Sequence, residues 1–350
     1  MKLTLWRDDA VIRRPIAAAA ERHDVRARLF LRVEHDGVHG YGEVAPESSP
    51  LNGDPSVDEV VEELASRTLA QLVAVVEREG TVPSWTRVAR FAAPRASSAT
   101  AVALVEMAIL DYELRSLGQD TATLWPRHFL TPTQSAASLL DDEPWAIPPT
   151  VARVRVKTSP GPVSRSALLR LEELSKPVVL DFNCSARIDA DVLDQVALVS
   201  RHASLVGVEQ PFNPGNVADH ARLAQRLDVA LSLDEGVRNP RDLDQIARYH
   251  AATMVCVKPA RVGGLAVARS MFEQARRNGL SAYLGGFFES AFARGVNGRL
   301  AANCVDQPSD LGVVERSDFE GAEVIEVAGG FEIAPSEAML RRASVVLTLD

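Results

Sequence analysis

Apolar residues fall on every second position in VRARLFLRVE (Val25–Glu34), the alternation of a half-buried strand. His35–Asp36–Gly37 follows as a turn signal, and VHGYGEV (Val38–Val44) reads as the returning strand of a hairpin. Leu3–Trp6 alternates as well, so the chain is predicted to open with strands. Pro46 to Pro55 is rich in Pro, Ser, Asn and Gly and predicts a loop. Ser56 with Glu59 three residues on is a capping-box pattern, which predicts a helix from Val57 to about Arg67. Two more helices are predicted, one near Leu69–Arg78 and one from Ser97 to Leu117 with Gly118 as its stop.

The pattern changes near Trp125–Thr133. Short apolar runs then recur at Val151–Val156, Pro177–Leu180, Ser204–Val208, Val229–Leu233, Met254–Val257 and Ser281–Leu284. Between them lie amphipathic stretches such as Asp189–His202 and Arg241–His250. This alternation predicts a parallel sheet, and the number of repeats favours a closed barrel. After Leu311 the pattern lapses. Gly321–Val327 and Gly329–Ile333 read as extra strands returning to the N-terminal unit.

With 350 residues, the chain has room for two domains or one large barrel with additions. Its 46% hydrophobic and 24% charged residues exclude a mainly disordered, collagenous or coiled-coil protein. The formal net charge of −9 argues against a nucleic-acid partner and is compatible with binding a cation. Cys184, Cys256 and Cys304 form no CxxC or finger spacing and read as small buried residues in a reducing compartment. No apolar run reaches the ~18 residues of a membrane span. The N-terminus carries charges where a signal peptide is apolar. The expectation is a cytoplasmic protein with no membrane partner; a homo-oligomer is compatible with it.

What ends each apolar run carries the chemistry. VRVK ends in Lys157, PVVLD in Asp181, LVGVE in Glu209, ALSLD in Asp234 and MVCVK in Lys258, at separations of 24, 28, 25 and 24 residues. That pitch is one strand, one helix and two loops. Each charge therefore falls at the carboxyl end of a successive parallel strand, and in a barrel those ends share the face that carries active sites. Three converging carboxylates repel one another strongly. A hard divalent cation with oxygen ligands, Mg²⁺ first and Mn²⁺ second, resolves that repulsion. The flanking lysines can face one substrate carbon as acid/base groups, while the metal holds the charge that develops on a small-molecule carboxylate as its α-proton leaves.

On these residues the chain resembles the enolase superfamily, in its mandelate racemase/muconate-lactonizing branch. RVK (Arg155–Lys157) resembles the KxK motif, LDFN (Leu180–Asn183) the LDxN motif and VEQP (Val208–Pro211) the (I/V)EQP motif. LDE (Leu233–Glu235) matches the metal-binding D–E/D step, and VKPARVGGL (Val257–Leu265) resembles the strand bearing the opposite lysine. Ala103–Gly118 is similar to the helix that ends the family's cap, and GYGEVAP (Gly40–Pro46) to its hairpin and the start of a substrate loop. The resemblance implies an α/β fold: a modified TIM barrel, (β/α)7β, over 126–320, with an α+β capping domain from 1–125 completed by 321–350. It implies Asp181, Glu209 and Asp234 as Mg²⁺ ligands and Lys157 and Lys258 as catalytic groups. Arg155, Asn183 and Glu235 would hold ligands or lysines in place. Two departures stand out. Arg155 occupies the first lysine position of KxK, and Cys184 follows LDFN where Gly is frequent.

GGFFESAFARGVN (Gly285–Asn297) is similar to a segment of o-succinylbenzoate synthases and N-succinylamino acid racemases, so Gly285, Gly286, Glu289 and Arg294 are candidate substrate contacts. The cap stretches Arg13–His23 and Glu47–Gly53 are further candidates, with Arg13 and Arg14 offered to a distal carboxylate. The resemblance implies o-succinylbenzoate synthase-like dehydration in menaquinone biosynthesis. Racemisation or epimerisation of N-acylated amino acids or dipeptides, and cycloisomerisation, stay open, as does an inactive binding or structural barrel.

Overall fold

The computed structural model describes residues 1–18, 22–91, 95–126, 132–142, 144–145, 147–311 and 324–349, without the side chains of 13–16 and 22–23. The N-terminal strands are β1 (Lys2–Ala17), β2 (Arg22–His35) and β3 (Val38–Val44). The alternation read in β2 is its inner face, with Leu29, Leu31 and Val33 fully buried. β1 is much longer than the alternation at 3–6 predicts. It pairs with β2 from Lys2↔Glu34 to Val11↔Val25, so a partner ladder carries the charged stretch that pattern alone leaves out.

Helices α1 (Val57–Glu63), α2 (Leu69–Glu79), α3 (Trp85–Val88) and α4 (Ala96–Ser116) follow. The Ser56 hydroxyl accepts from Glu59 N–H at 3.3 Å, and the Glu59 carboxylate accepts from Ser56 N–H at 2.8 Å. A π turn at Leu64–Thr68 joins α1 to α2, so the two predicted helices run on without a break.

The next units are β4 (Gln134–Ser138), β5 (Arg153–Lys157), α5 (Arg165–Glu172), β6 (Val178–Asp181), α6 (Asp189–Val199), β7 (Leu205–Glu209), α7 (Val217–Ala224) and β8 (Ala230–Leu233). After them come α8 (Pro240–Tyr249), β9 (Met254–Val257), α9 (Pro259–Val262), α10 (Leu265–Arg277), β10 (Ser281–Leu284) and α11 (Ala291–Cys304). Strands β4 to β10 form one parallel sheet in sequence order. Residues 309–310 bring its edges together. Gln134 N–H donates to Ser309 O at 3.0 Å on one side, and Asp310 N–H donates to Leu284 O at 2.8 Å on the other. This is the eighth strand of the modified TIM barrel. Two residues are too short to show a period, and β4 (QSAAS) is buried at every position but holds only Gln, Ser and Ala, so neither stands out in the sequence. The connection from β4 to β5 carries no helix among its described residues.

The tail returns to the N-terminal unit, but by a route the pattern does not show. β11 (Val324–Glu326) pairs with β12 (Ile333–Pro335) as a ribbon outside the N-terminal sheet, and between them Gly330 N–H donates to Gln119 O at 2.9 Å and Phe331 N–H to Asp111 at 2.8 Å, at and just past the end of α4. The strand that returns is β13 (Ser344–Leu349), which follows α12 (Glu337–Arg342) and pairs antiparallel with β1. No helix among the described residues is long and apolar enough to cross a membrane.

Two buried carboxylates hold the N-terminal layer on the barrel. Glu43 of β3 accepts from the N–H groups of Ser290 and Ala293 at the start of α11, at 2.6 and 3.1 Å. Glu106 of α4 accepts from Leu265 and Ala266 N–H at the start of α10, at 2.5 and 2.9 Å. Helix N-termini present unpaired donors and positive potential, which suits both carboxylates. Gly264 has φ +124°, and a Cβ there would lie 2.3 Å from the Glu106 carboxylate, which explains the second glycine of VGGL. Burial pushes Glu106 up to about 8. Glu106→Ala should lower the unfolding free energy by about 1–3 kcal/mol, because the two α10 donors lose their partner in a buried interface. Denaturant unfolding checks this, and an unchanged midpoint would contradict it.

Candidate active site

Parallel register turns the sequence spacing into a ring. Lys157 pairs with Asp181 in the β5–β6 ladder, and Asp181 with Glu209 in the β6–β7 ladder. Asp234 follows β8 and Lys258 follows β9. β5 and β9 lie four strands apart in an eight-strand ring, so the lysines approach from opposite sides. Both line one cavity between the barrel mouth and the N-terminal layer, together with Arg155, Asn183 and Glu235. Glu47, Leu51 and Asn52 line it from the cap loop, and Arg26 and Arg28 from β2.

The charges interlock. Lys157 Nζ donates to Asp181 and to Asn183 Oδ1, both at 2.7 Å. Asn183 N–H donates to the other Asp181 oxygen at 3.0 Å, and its Nδ2 donates to Glu235 at 3.2 Å. LDFN is thus a turn that wraps its own aspartate. Asn183 and Cys184 sit at φ +42° and +67°, in the left-handed region, where a frequent glycine suits position 184. On the far side, Lys258 Nζ lies 3.0 Å from Asp234 and 4.4 Å from the centre of the Phe287 ring. Arg155 Nη1 bridges Asp181 at 3.2 Å and Glu209 at 3.0 Å, and its Nη2 pairs with Asp310.

Burial, with repulsion from Asp181 and Asp234, pushes the Glu209 carboxyl up to about 7. Glu235 is likewise pushed up to about 7 by burial and the charges of Asp234 and Asp181, and its Oε2 is buried without a hydrogen-bond partner. Burial would raise Asp234, but Arg261 and Lys258 overcome it and hold that carboxyl well below its usual range. Burial would lower Lys258, but Asp234 outweighs it and holds the ammonium charged.

The oxygen-only donors Asp181, Glu209 and Asp234 suit Mg²⁺ in chemistry. The repulsion felt at Glu209 and a guanidinium nitrogen already bridging two of the three mark a place that calls for positive charge. Among the described residues no three His, Cys, Asp or Glu side chains stand together as a ready metal cage, and Arg155 lies against both Asp181 and Glu209.

Several residues of this cluster carry no sequence signal of their own. Arg261, one turn past Lys258, donates to Asp234 at 2.6 Å and to Asp54 of the cap loop at 2.7 and 2.8 Å. Tyr283 donates to Glu209 at 2.5 Å from inside the barrel. Arg26, a polar position of β2, is buried against Glu47 and the Ala45 carbonyl. Parallel ladders and cap contacts across up to 207 positions bring them here, which short motifs cannot encode.

Residues 153–335, just over half of the chain, match the family described as enolase C-terminal domain-like. The chain belongs to that family. An o-succinylbenzoate synthase of Enterococcus faecalis is 33% identical over 170 residues, covering 48% of this chain and 46% of that protein, so the match spans just under half of its length. An N-succinylamino acid racemase of Amycolatopsis is 24% identical over 296 residues, covering 82% of this chain and 79% of that protein. A solved dipeptide epimerase from Cytophaga hutchinsonii, complexed with Mg and the dipeptide D-Ala-L-Val, superposes with a TM-score of 0.80 at 12% identity. That likeness covers 100% of this chain and 99% of the other and is one of fold.

Within this enolase-family barrel, the segment after β10 divides in two. Gly286, Glu289 and Arg294 line the cavity. Gly285 instead backs Lys258: a Cβ there would lie 2.5 Å from Cys256 Sγ and 2.9 Å from Lys258 Cε. The side chains of Arg13 and Arg14 lie outside the described residues; their neighbours Val11 and Ile12 line the cavity. Gly285→Ala should displace the Lys258 ammonium from Asp234. A crystal structure of the variant checks this, and an unmoved ammonium would contradict it.

Proposed function

We propose that this enolase-family chain is an enzyme that removes the proton α to a carboxylate, most specifically by o-succinylbenzoate synthase-like dehydration. The observation that carries the reading is that Lys157 and Lys258, from opposite sides of the barrel, line one cavity above three strand-end carboxylates. Asp181, Glu209 and Asp234 would hold Mg²⁺, with Mn²⁺ as a substitute. Bound there, the metal supplies a Lewis acid for the charge that develops on the substrate carboxylate.

Lys157, oriented by Asn183, takes the α-proton on Nζ. The β-hydroxyl then leaves as water from the same face and takes the proton back from Lys157. Lys258, kept charged beside Asp234, faces the developing anion across the cavity. The cap loop and the Phe287 ring line the cavity in which the reaction would take place.

The same pair of lysines supports racemisation or epimerisation of an N-acylated amino acid or dipeptide. There, Lys157 removes the proton from one face and Lys258 returns one to the other. The Amycolatopsis relative, a racemase by name, matches most of the chain and favours keeping this second reading.

Incubation with Mg²⁺ in D2O separates the two. The panel holds the o-succinylbenzoate precursor, N-succinylamino acids and dipeptides, and NMR follows the α-position. At least one substrate should lose α-protium with the native chain, and Lys157→Ala should abolish that loss. Under dehydration, Lys258→Ala should slow turnover; under racemisation it should block exchange from one enantiomer. Failure of every substrate at saturating Mg²⁺, or full activity of Lys157→Ala, would overturn the proposal.

A further inference from the structure

Arg155 is buried, permanently charged and wedged among acids of three different strands. One nitrogen, Nη1, lies within hydrogen-bonding distance of both Asp181 and Glu209, while Nη2 holds Asp310 of the short eighth strand. Nε is buried without a hydrogen-bond partner, so this pose leaves one donor of the guanidinium unmet. Mg²⁺ draws its oxygen ligands to about 2.0–2.1 Å. Nη1 stands 3.2 and 3.0 Å from one oxygen each of Asp181 and Glu209, so an ion drawing on those oxygens meets a cation already in place.

We propose that Arg155 is a resident counter-cation that competes with the divalent ion for Asp181 and Glu209, with Asp310 as the berth to which its guanidinium withdraws. Without metal it neutralises the carboxylates and keeps the barrel mouth packed. As the ion enters, Nη1 gives up both oxygens and the side chain stays tethered through Nη2. A lysine in the same place carries its charge on one nitrogen and cannot span Asp310 and the Asp181–Glu209 pair in the same way. Arg155 is therefore a positioning residue that sets how tightly this chain holds its metal. The inference rests on the divalent-cation reading above.

The test is calorimetric titration of Mg²⁺ into the metal-free full chain, alongside its melting temperature without metal. Arg155→Gln should bind Mg²⁺ about tenfold more tightly, since a unit positive charge leaves the ligands' side. The same variant should melt lower than the native chain when metal-free. Arg155→Lys should fall between the two and carries the test if Arg155→Gln does not fold. Asp310→Asn should bind Mg²⁺ more weakly, because the guanidinium loses its other berth. Equal or weaker binding by both Arg155 variants, with the native chain still taking up Mg²⁺, would overturn the role of Arg155 and leave the metal reading standing. No uptake by the native chain or any variant would overturn both.

Discussion

The structure turns on charge balance at one level of a barrel. Asp181, Glu209, Asp234 and Glu235 are all buried at the carboxyl ends of β6, β7 and β8, where isolated carboxylates are costly. Arg155 and Lys157 of β5 and Lys258 and Arg261 just after β9 offset them from two sides of the ring. Parallel register makes this possible, since it sets the last residues of neighbouring strands side by side. Asp181 and Asp234 each meet two of these cations, and Arg155 meets both Asp181 and Glu209, so the cluster works as a unit.

The N-terminal layer belongs to the same system. Asp54 reaches down from the cap loop to Arg261, which also holds Asp234. Arg238 donates to Asn52 O and Gly53 O of that loop. Asn52 in turn faces Glu235 and the Asn183 carbonyl at 3.4 Å. The loop over the cavity and the charges beneath it are thus tied through shared residues, and Glu43 and Glu106 fix the same layer on two helix N-termini. Cap placement and site geometry cannot be varied independently.

How much of this was legible in the sequence follows from the range of each interaction. The five strand-end charges were legible because one residue per unit repeats at a nearly constant pitch. The capping box at Ser56 was legible because both partners lie within one turn. β4 was not, because a strand buried on both sides need not alternate and QSAAS has no long apolar residue. The eighth strand was not, because two residues have no period. The return of the tail to the N-terminal unit was legible, and Gly330 and Phe331 meet the end of α4, but β13 was not, although it is the strand that pairs with β1. Arg261, Tyr283 and Asp310 were silent because each joins the site through a partner on another strand or loop. Arg155 was visible as a departure from a motif, but its partners were not.

The central claim is that Asp181, Glu209 and Asp234 form one divalent-cation site. Anomalous diffraction from a crystal soaked in Mn²⁺ tests it most directly. The account predicts a single strong peak within about 2.0–2.5 Å of oxygens from all three carboxylates. A peak elsewhere, or none while Arg155 still bridges Asp181 and Glu209, would contradict it.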